Sequence, residues 1–497
     1  MNRTLTHTLA EMAALFPADG ASPAIEDAAG RRLDHDAIAA AAAELDARGL
    51  AWGDRFVILG EPAPATLAFM LAAWRIGAAV CPLPKETRPE ALRAIAADCA
   101  ASLAVETGER EHIWHAFPRG ESRFRFRAPP RVTGCDLALL IYSSGSTGTP
   151  KGIMLTHANV LSALRSISAY LALRPDDIIY SALPLHFDYG LYQFLLAVFN
   201  GCRVVMANTG TNVQQALKAI GALAPTILPV VPALGSGIGR LAQAFGQQIR
   251  SVRLVTNTGG HLPGNVIQGL RRAFPDADIM PMYGLTESKR ALYLSPEQLD
   301  ARPGSVGRPM PGLEAKVFVA ETENGREVYR EAHAHETGTL WVRGSSVMQG
   351  YTSAQNGAGA EIVPGRYRDD NWLITGDLFS VDEDGFFYFR GRVKDVIKQS
   401  GYCLYPRDIE AIADGHPAVQ ESAVVGIHDA QGDEIACLFA RAAEPLEPDA
   451  LMTWMRDRLD AHYMPRKCVL VETWPLNNNG KIDRLALRQQ AHERSVA

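Results

Sequence analysis

Apolar and polar positions divide this chain into three textures. In the first, RFVIL at 55–59 is an apolar run of the kind found in strands buried on both faces. Residues 65–77 are apolar almost throughout and end on Gly77, which predicts a buried helix closed by glycine, and AAVC at 78–81 predicts the next strand. Strand, helix, strand in that order requires a crossover and therefore a mostly parallel sheet. The pattern resumes with LALLI at 137–141, a polar loop and a helix over 158–171. Further strands are predicted at 203–206, 226–231 and 253–256, and an alanine-rich helix at 37–47. Beyond residue 300 short strands and turns dominate, at 315–319, 338–342 and 385–389, which predicts a small β-rich subdomain. From Val393 onward helix and strand patterns return over about a hundred residues, enough for a compact α+β domain.

At 497 residues the chain is too long for one core. A net charge of −6 without a block of like charge favours neither nucleic acid nor an anionic membrane as partner. Cys81, Cys99, Cys135, Cys202, Cys403, Cys437 and Cys468 are never closer than eighteen positions, so no zinc spacing exists. Scattered cysteines point to a reducing compartment. The first twenty residues carry an apolar stripe broken by His7 and Glu11, an amphipathic helix and not a signal-peptide core. No apolar run is long enough to span a bilayer. A cytoplasmic enzyme with no membrane partner is the expectation.

The strongest local signal is YSSGSTGTPKG at 142–152, where an apolar strand runs into a loop of three glycines, five Ser/Thr and one lysine. Glycines let backbone N–H groups converge on one point, and such a concavity binds phosphate. It is not a Walker A loop, because Lys151 precedes Gly152 and not Ser/Thr. A flexible Ser/Gly linker is the other reading of the same composition.

The loop Ser143, Ser144, Gly145, Ser146, Thr147, Gly148, with Lys151, resembles the signature of the AMP-forming adenylate ligase superfamily, which holds acyl-CoA synthetases, peptide-synthetase adenylation domains and luciferases. YGLTE at 283–287, GSVGRP at 304–309, 338–351, TGD at 375–377, GRVKD at 391–395, IKQSG at 397–401 and NGKID at 479–483 follow in the family's order, and the set covers nearly the whole chain. The resemblance implies an α/β fold: a large multi-sheet N-terminal adenylation domain, residues 1–391, and a smaller mobile α+β C-terminal domain, residues 394–497. It implies ATP and Mg2+ as cofactors, and a small carboxylic or amino acid as substrate. CoA, or the phosphopantetheine of a separate carrier protein, would be the thiol acceptor.

Carried over residue by residue, Glu287 resembles the magnesium ligand, Thr286 the α-phosphate contact, and Tyr283 with Gly284 the adenine platform. Asp377 resembles the holder of the ribose hydroxyls, for which two carboxylate oxygens suit two adjacent donors. Arg392 resembles the ribose and phosphate contact, and Thr258, Gly259 and Gly260 the backbone passing the adenine, with His261 where many members have Ala or Glu. Lys481 resembles the lysine bridging carboxylate and α-phosphate, Lys394 the hinge, and Gly401 the loop lining the thiol tunnel. Taken singly, these residues read as a first-turn carboxylate, an N-cap, core packing, a turn aspartate and surface charges.

The acid is addressed by LPLHFDYGL at 183–191. Acyl- and aryl-CoA ligases commonly place histidine three positions before this glycine, where this chain has Phe187, with His186 one place early. Phe187-Asp188 matches amino-acid-activating members, whose aspartate pairs with the substrate ammonium. A cap on a helix starting near Gly190 is the other reading of Asp188. Arg290, within Ser288-Lys-Arg290, either recognises a second polar or anionic group or faces solvent. The expectation is adenylation of an acid, leaning to an amino acid, with transfer to a thiol. A fatty or aryl acyl-CoA ligase is the alternative, and a catalytically silent nucleotide-binding protein and luciferase-like oxidation are more remote.

Overall fold

The computed structural model describes residues 6–16, 25–108, 111–118, 131–143, 151–208, 210–352, 361–363, 371–429, 432–476 and 482–496. Six strands lie parallel and side by side in the order Ile25–Asp27, Arg203–Met206, Ile178–Ser181, Ile227–Val230, Leu254–Asn257 and Asp278–Tyr283. Through Leu292–Tyr293 and Ser305–Pro309 the sheet becomes antiparallel. It continues into Phe387–Arg392, Trp372–Val381, Gly338–Gly344, Leu313–Glu323 and Arg326–Glu331. The β-rich stretch expected as a subdomain is thus the antiparallel half of one sheet. The joining strand, Leu292–Tyr293, has two residues and leaves no period in the sequence.

A second sheet runs Gly350–Tyr351, Lys151–Thr156, Leu137–Ser143, Ala79–Leu83, Arg55–Leu59, Leu103–Glu106 and Ile113–Ala116. The glycine-rich loop therefore joins two antiparallel strands, with Ser143 opposite Lys151, and does not lead directly into a helix. The helix His157–Leu171 follows the second of these strands, and Thr156 and Asn159 form its capping box.

Helix Pro64–Ile76 explains its own sequence. Every residue from Thr66 to Trp74 is buried, because the helix touches the first strand of the large sheet and two strands of the second. Trp74 Nε1 donates to the Ala138 carbonyl at 2.8 Å, satisfying its one polar atom. Gly77 ends the helix in the left-handed region, φ 91°. The amphipathic N-terminal helix is shorter than its stripe suggests: Leu9–Met12, then one 3-10 turn, with Leu9 and Met12 buried.

The smaller C-terminal region holds a three-stranded sheet, Val419–His428, Glu434–Ala442 and Lys467–Leu470, flanked by helices Pro406–Asp414 and Arg484–Val496. Buried Glu410 ties it together, accepting from Arg484 at 2.6 Å and from the Val424 N–H at 2.8 Å. A large α/β N-terminal region with a smaller C-terminal one is the expected architecture.

Candidate active site

Three parallel strands end at one edge of the large sheet, where ligands of open α/β sheets bind. Ile227–Val230 leads into helix Pro232–Ala244, Leu254–Asn257 into Thr258-Gly259-Gly260, and Asp278–Tyr283 into the loop that carries Gly284, Thr286 and Glu287. A Cβ on Gly260 would stand 3.0 Å from Pro232 Cγ, so the two segments touch.

Tyr283, Asp377 and Arg392 meet although ninety-four positions separate the first two. The Tyr283 hydroxyl donates to Asp377 Oδ2 at 2.6 Å, and Arg392 Nε lies 3.2 Å from Asp377 Oδ1. Asp377 and Arg392 are cross-strand partners, so the sheet register sets this pair. Burial, then the Asp377 charge, holds the Tyr283 phenol well above its ordinary pKa. Its ring packs edge-on to Phe379, centroids 4.8 Å apart.

The loop after Tyr283 closes tightly on itself. The Ala291 N–H donates to the Tyr283 carbonyl at 2.9 Å, and a Cβ on Gly284 would stand 1.9 Å from the Lys289 carbonyl oxygen. Only glycine fits there. Lys289 pays for the turn with φ 70°. Glu287 Oε1 accepts from the Tyr351 hydroxyl at 2.7 Å, and the Glu287 carbonyl accepts from the Met348 N–H at 2.8 Å. Burial pushes the Glu287 carboxyl above the usual range, against the Tyr351 hydrogen bond. Such a carboxylate gains from a cation, and one carboxylate with substrate phosphates is an ordinary set for Mg2+. Lys151 Nζ lies 5.4 Å from the centroid of the Tyr351 ring, which brings the end of the glycine-rich loop to the same place. Sequence reasoning missed Tyr351 as the partner of Glu287. Their sixty-four-residue separation leaves no local signal.

Asp188, expected beside the acid, is the first residue of helix Asp188–Asn200. Phe187 is the N-cap without a side-chain bond, so Asp188 does not cap a helix from Gly190, but its charge favours the N-terminus. Phe187 packs on the main core, its ring edge-on to Tyr189 at 6.2 Å. Lys289 and Arg290 do not face solvent: they are 1% and 2% exposed. Lys289 Nζ donates to the Thr286 carbonyl at 2.7 Å and lies 5.9 Å from the Tyr192 ring centroid. Burial lowers its pKa to about 8, opposed by the charges of Asp188 and Glu287. The Arg290 guanidinium stands 4.5 Å from the Tyr189 ring centroid. His186 Nε2 is buried without a hydrogen-bond partner among the described residues, and desolvation lowers the imidazole pKa.

His261 is pushed down to about 3, chiefly by burial and then by Arg407, so it is neutral at physiological pH. Lys394 lies in the 3-10 turn Val393–Asp395 directly after Arg392, and Gly401 turns the hairpin Ile397–Gln399 and Tyr402–Leu404 at φ 85°. Ser144, Gly145, Ser146, Thr147, Gly148 and Lys481 lie outside the described residues, as does the side chain of Ser143. Among the described residues no helix is long and apolar enough to cross a membrane.

Residues 31–352 match the sequence model of the AMP-binding enzyme family, and residues 408–481 match that of the AMP-binding enzyme C-terminal domain. The chain is 33% identical over 368 residues to a long-chain-fatty-acid–CoA ligase of Salmonella typhimurium, covering 73% of this chain and 63% of that protein. It is 30% identical over 365 residues to the 4-coumarate–CoA ligase-like 4 protein of Oryza sativa subsp. japonica, covering 72% and 64%. The chain thus spans less than two thirds of these relatives. The fold superposes on ATP-bound MatB from Rhodopseudomonas palustris with a TM-score of 0.78 and 26% identity, over 98% of this chain and 100% of that one. The anthranilate CoA ligase AuaEII, at 21% identity and a TM-score of 0.80 over the whole of both chains, shares the fold. With its larger model matching most of the chain, and the smaller one following in order, this protein belongs to the AMP-binding enzyme family.

Proposed function

We propose that this protein is an AMP-forming ligase that adenylates a carboxylic acid with ATP and passes the acyl group to CoA. The joining of Tyr283, Asp377 and Arg392 at the carboxyl edge of the sheet, with Glu287 in electrostatic reach of Arg392, carries this reading. In the first half-reaction a substrate carboxylate oxygen bonds to the α-phosphorus and the bond to pyrophosphate breaks. In the second a thiolate bonds to the acyl carbon and AMP leaves. Both partners of the first step are anionic, so charge neutralisation and positioning are the work required. Asp377 accepts from the ribose hydroxyls, Arg392 fixes that carboxylate and reaches phosphate, and Thr286 donates to the α-phosphate. Thr258, Gly259 and Gly260 pass the adenine, and the loop from Ser143 to Lys151 holds the phosphates. Glu287 would hold Mg2+, which when bound supplies Lewis-acid neutralisation of the phosphate charge. Lys481 belongs beside the reacting carboxylate. Lys394 is the pivot between residues 1–391 and 394–497, bringing the Gly401 hairpin to the thiol.

CoA as acceptor is favoured over a carrier protein because the curated relatives are named as CoA ligases. A simple acid is favoured over an amino acid, because Asp188 already has Lys289 of its own chain within electrostatic reach. The test is CoA-dependent AMP release across carboxylic and amino acids. Acids should react with free CoA, and an amino acid turned over only with a carrier protein would reverse both choices. Asp377→Ala should raise the KM for ATP about ten- to a hundredfold, the value of a charge-assisted bond, and that for the acid far less. An unchanged ATP dependence would remove the ribose assignment.

A further inference from the structure

The two buried cations that follow Glu287 carry the reading further. Ser288, Lys289 and Arg290 directly follow Thr286 and Glu287; on the helix Asp188–Asn200, Tyr189 directly follows Asp188 and Tyr192 lies about one turn further on. Lys289 and Arg290 lie against these two tyrosine rings. Among the described residues the Arg290 Nε and the Tyr192 hydroxyl are buried without a hydrogen-bond partner, and so is the hydroxyl of Ser288, next to Lys289 in sequence. Arg290 has no ion pair or hydrogen bond among the described residues. A buried guanidinium Nε without a hydrogen bond is costly, and unsatisfied buried polar groups mark a missing polar partner.

Resting on the ligase reading above, we propose that the acid carries a second anionic group, as a dicarboxylate does, and that Arg290 binds it with Lys289, Tyr192 and Ser288 beside it. The carboxylates acting on Lys289 are Asp188 and Glu287. A fatty acid would leave the guanidinium against a methyl terminus. An amino acid would add a third cation to the cluster, and like charges there repel. A carboxylate matches the forked donors of arginine and accepts from both hydroxyls.

The test is ATP–pyrophosphate exchange with a chain-length series of straight dicarboxylates, their matched monocarboxylates and monoamides, and amino acids. Wild type should prefer the best dicarboxylate over its monocarboxylate and monoamide by about ten- to a hundredfold in kcat/KM. Arg290→Met should bring those partners to within about threefold, and Arg290→Lys should restore part of the preference. The wild-type comparison decides even if a variant fails to fold. Preference for a monocarboxylate, a monoamide or an amino acid overturns the proposal and leaves the ligase reading standing. Exchange with no acid in any series sinks the ligase reading, and this inference with it.

Discussion

At the scale of single residues, the site is a set of charges held where water would otherwise compensate them. Lys289 shows the cost most directly. Its pKa of about 8 stands below the ordinary lysine value of 10.5 because burial disfavours the ammonium more than Asp188 and Glu287 favour it. The folded protein then binds fewer protons than the unfolded chain between pH 8 and 10.5, so this group adds stability as the pH rises through that window. Below about pH 8 it costs stability on the order of 3 kcal/mol. Lys289→Met should therefore raise the Tm at pH 7, with a gain that shrinks as the pH climbs from 8 to 10.5. Thermal melts of both proteins across that range check it, and a destabilised variant at pH 7 would show that the ammonium's bond to the Thr286 carbonyl outweighs its burial.

At the scale of elements, the loop between strands Asp278–Tyr283 and Leu292–Tyr293 holds Thr286 and Glu287, the residues proposed for phosphate and metal, by backbone closure. Gly284 faces the Lys289 carbonyl so closely that any Cβ must push the loop open. Since Thr286 and Glu287 lie inside that closure, Gly284→Ala should cost at least a hundredfold in pyrophosphate exchange, more than about 2.7 kcal/mol. Overall stability should fall by only about 1–3 kcal/mol, the range of local backbone strain. Activity within threefold of wild type would mean the loop relaxes without moving Glu287. The YGLTE motif announced the importance of this segment. Its closure through Lys289 at positive φ was not legible, because a lysine carries no sequence sign of that conformation.

At the scale of the whole molecule, the C-terminal region is tied close to the turn proposed as pivot. Arg488 on the last helix lies 3.1 Å from Asp395, next to Lys394. If this turn rotates between half-reactions, fixing φ should separate them. Lys394→Pro should retain most pyrophosphate exchange and lose at least ten- to a hundredfold in thioester formation, measured by CoA consumption. Equal loss or retention of both places the pivot elsewhere. By itself the sequence determined the family, the α/β class and most buried strands and helices, because apolar period and motif order are local properties of the chain. Strand Arg55–Leu59 and helix Pro64–Ile76 are read almost to the residue. Only the tertiary structure decided which charges meet. Tyr283 with Asp377, Glu287 with Tyr351, and Arg290 with Tyr189 are joined by sheet register and loop closure across long separations. Likewise Arg290 is as polar in sequence as any surface arginine. Its burial follows from the packing of its loop on helix Asp188–Asn200, a contact no local pattern encodes.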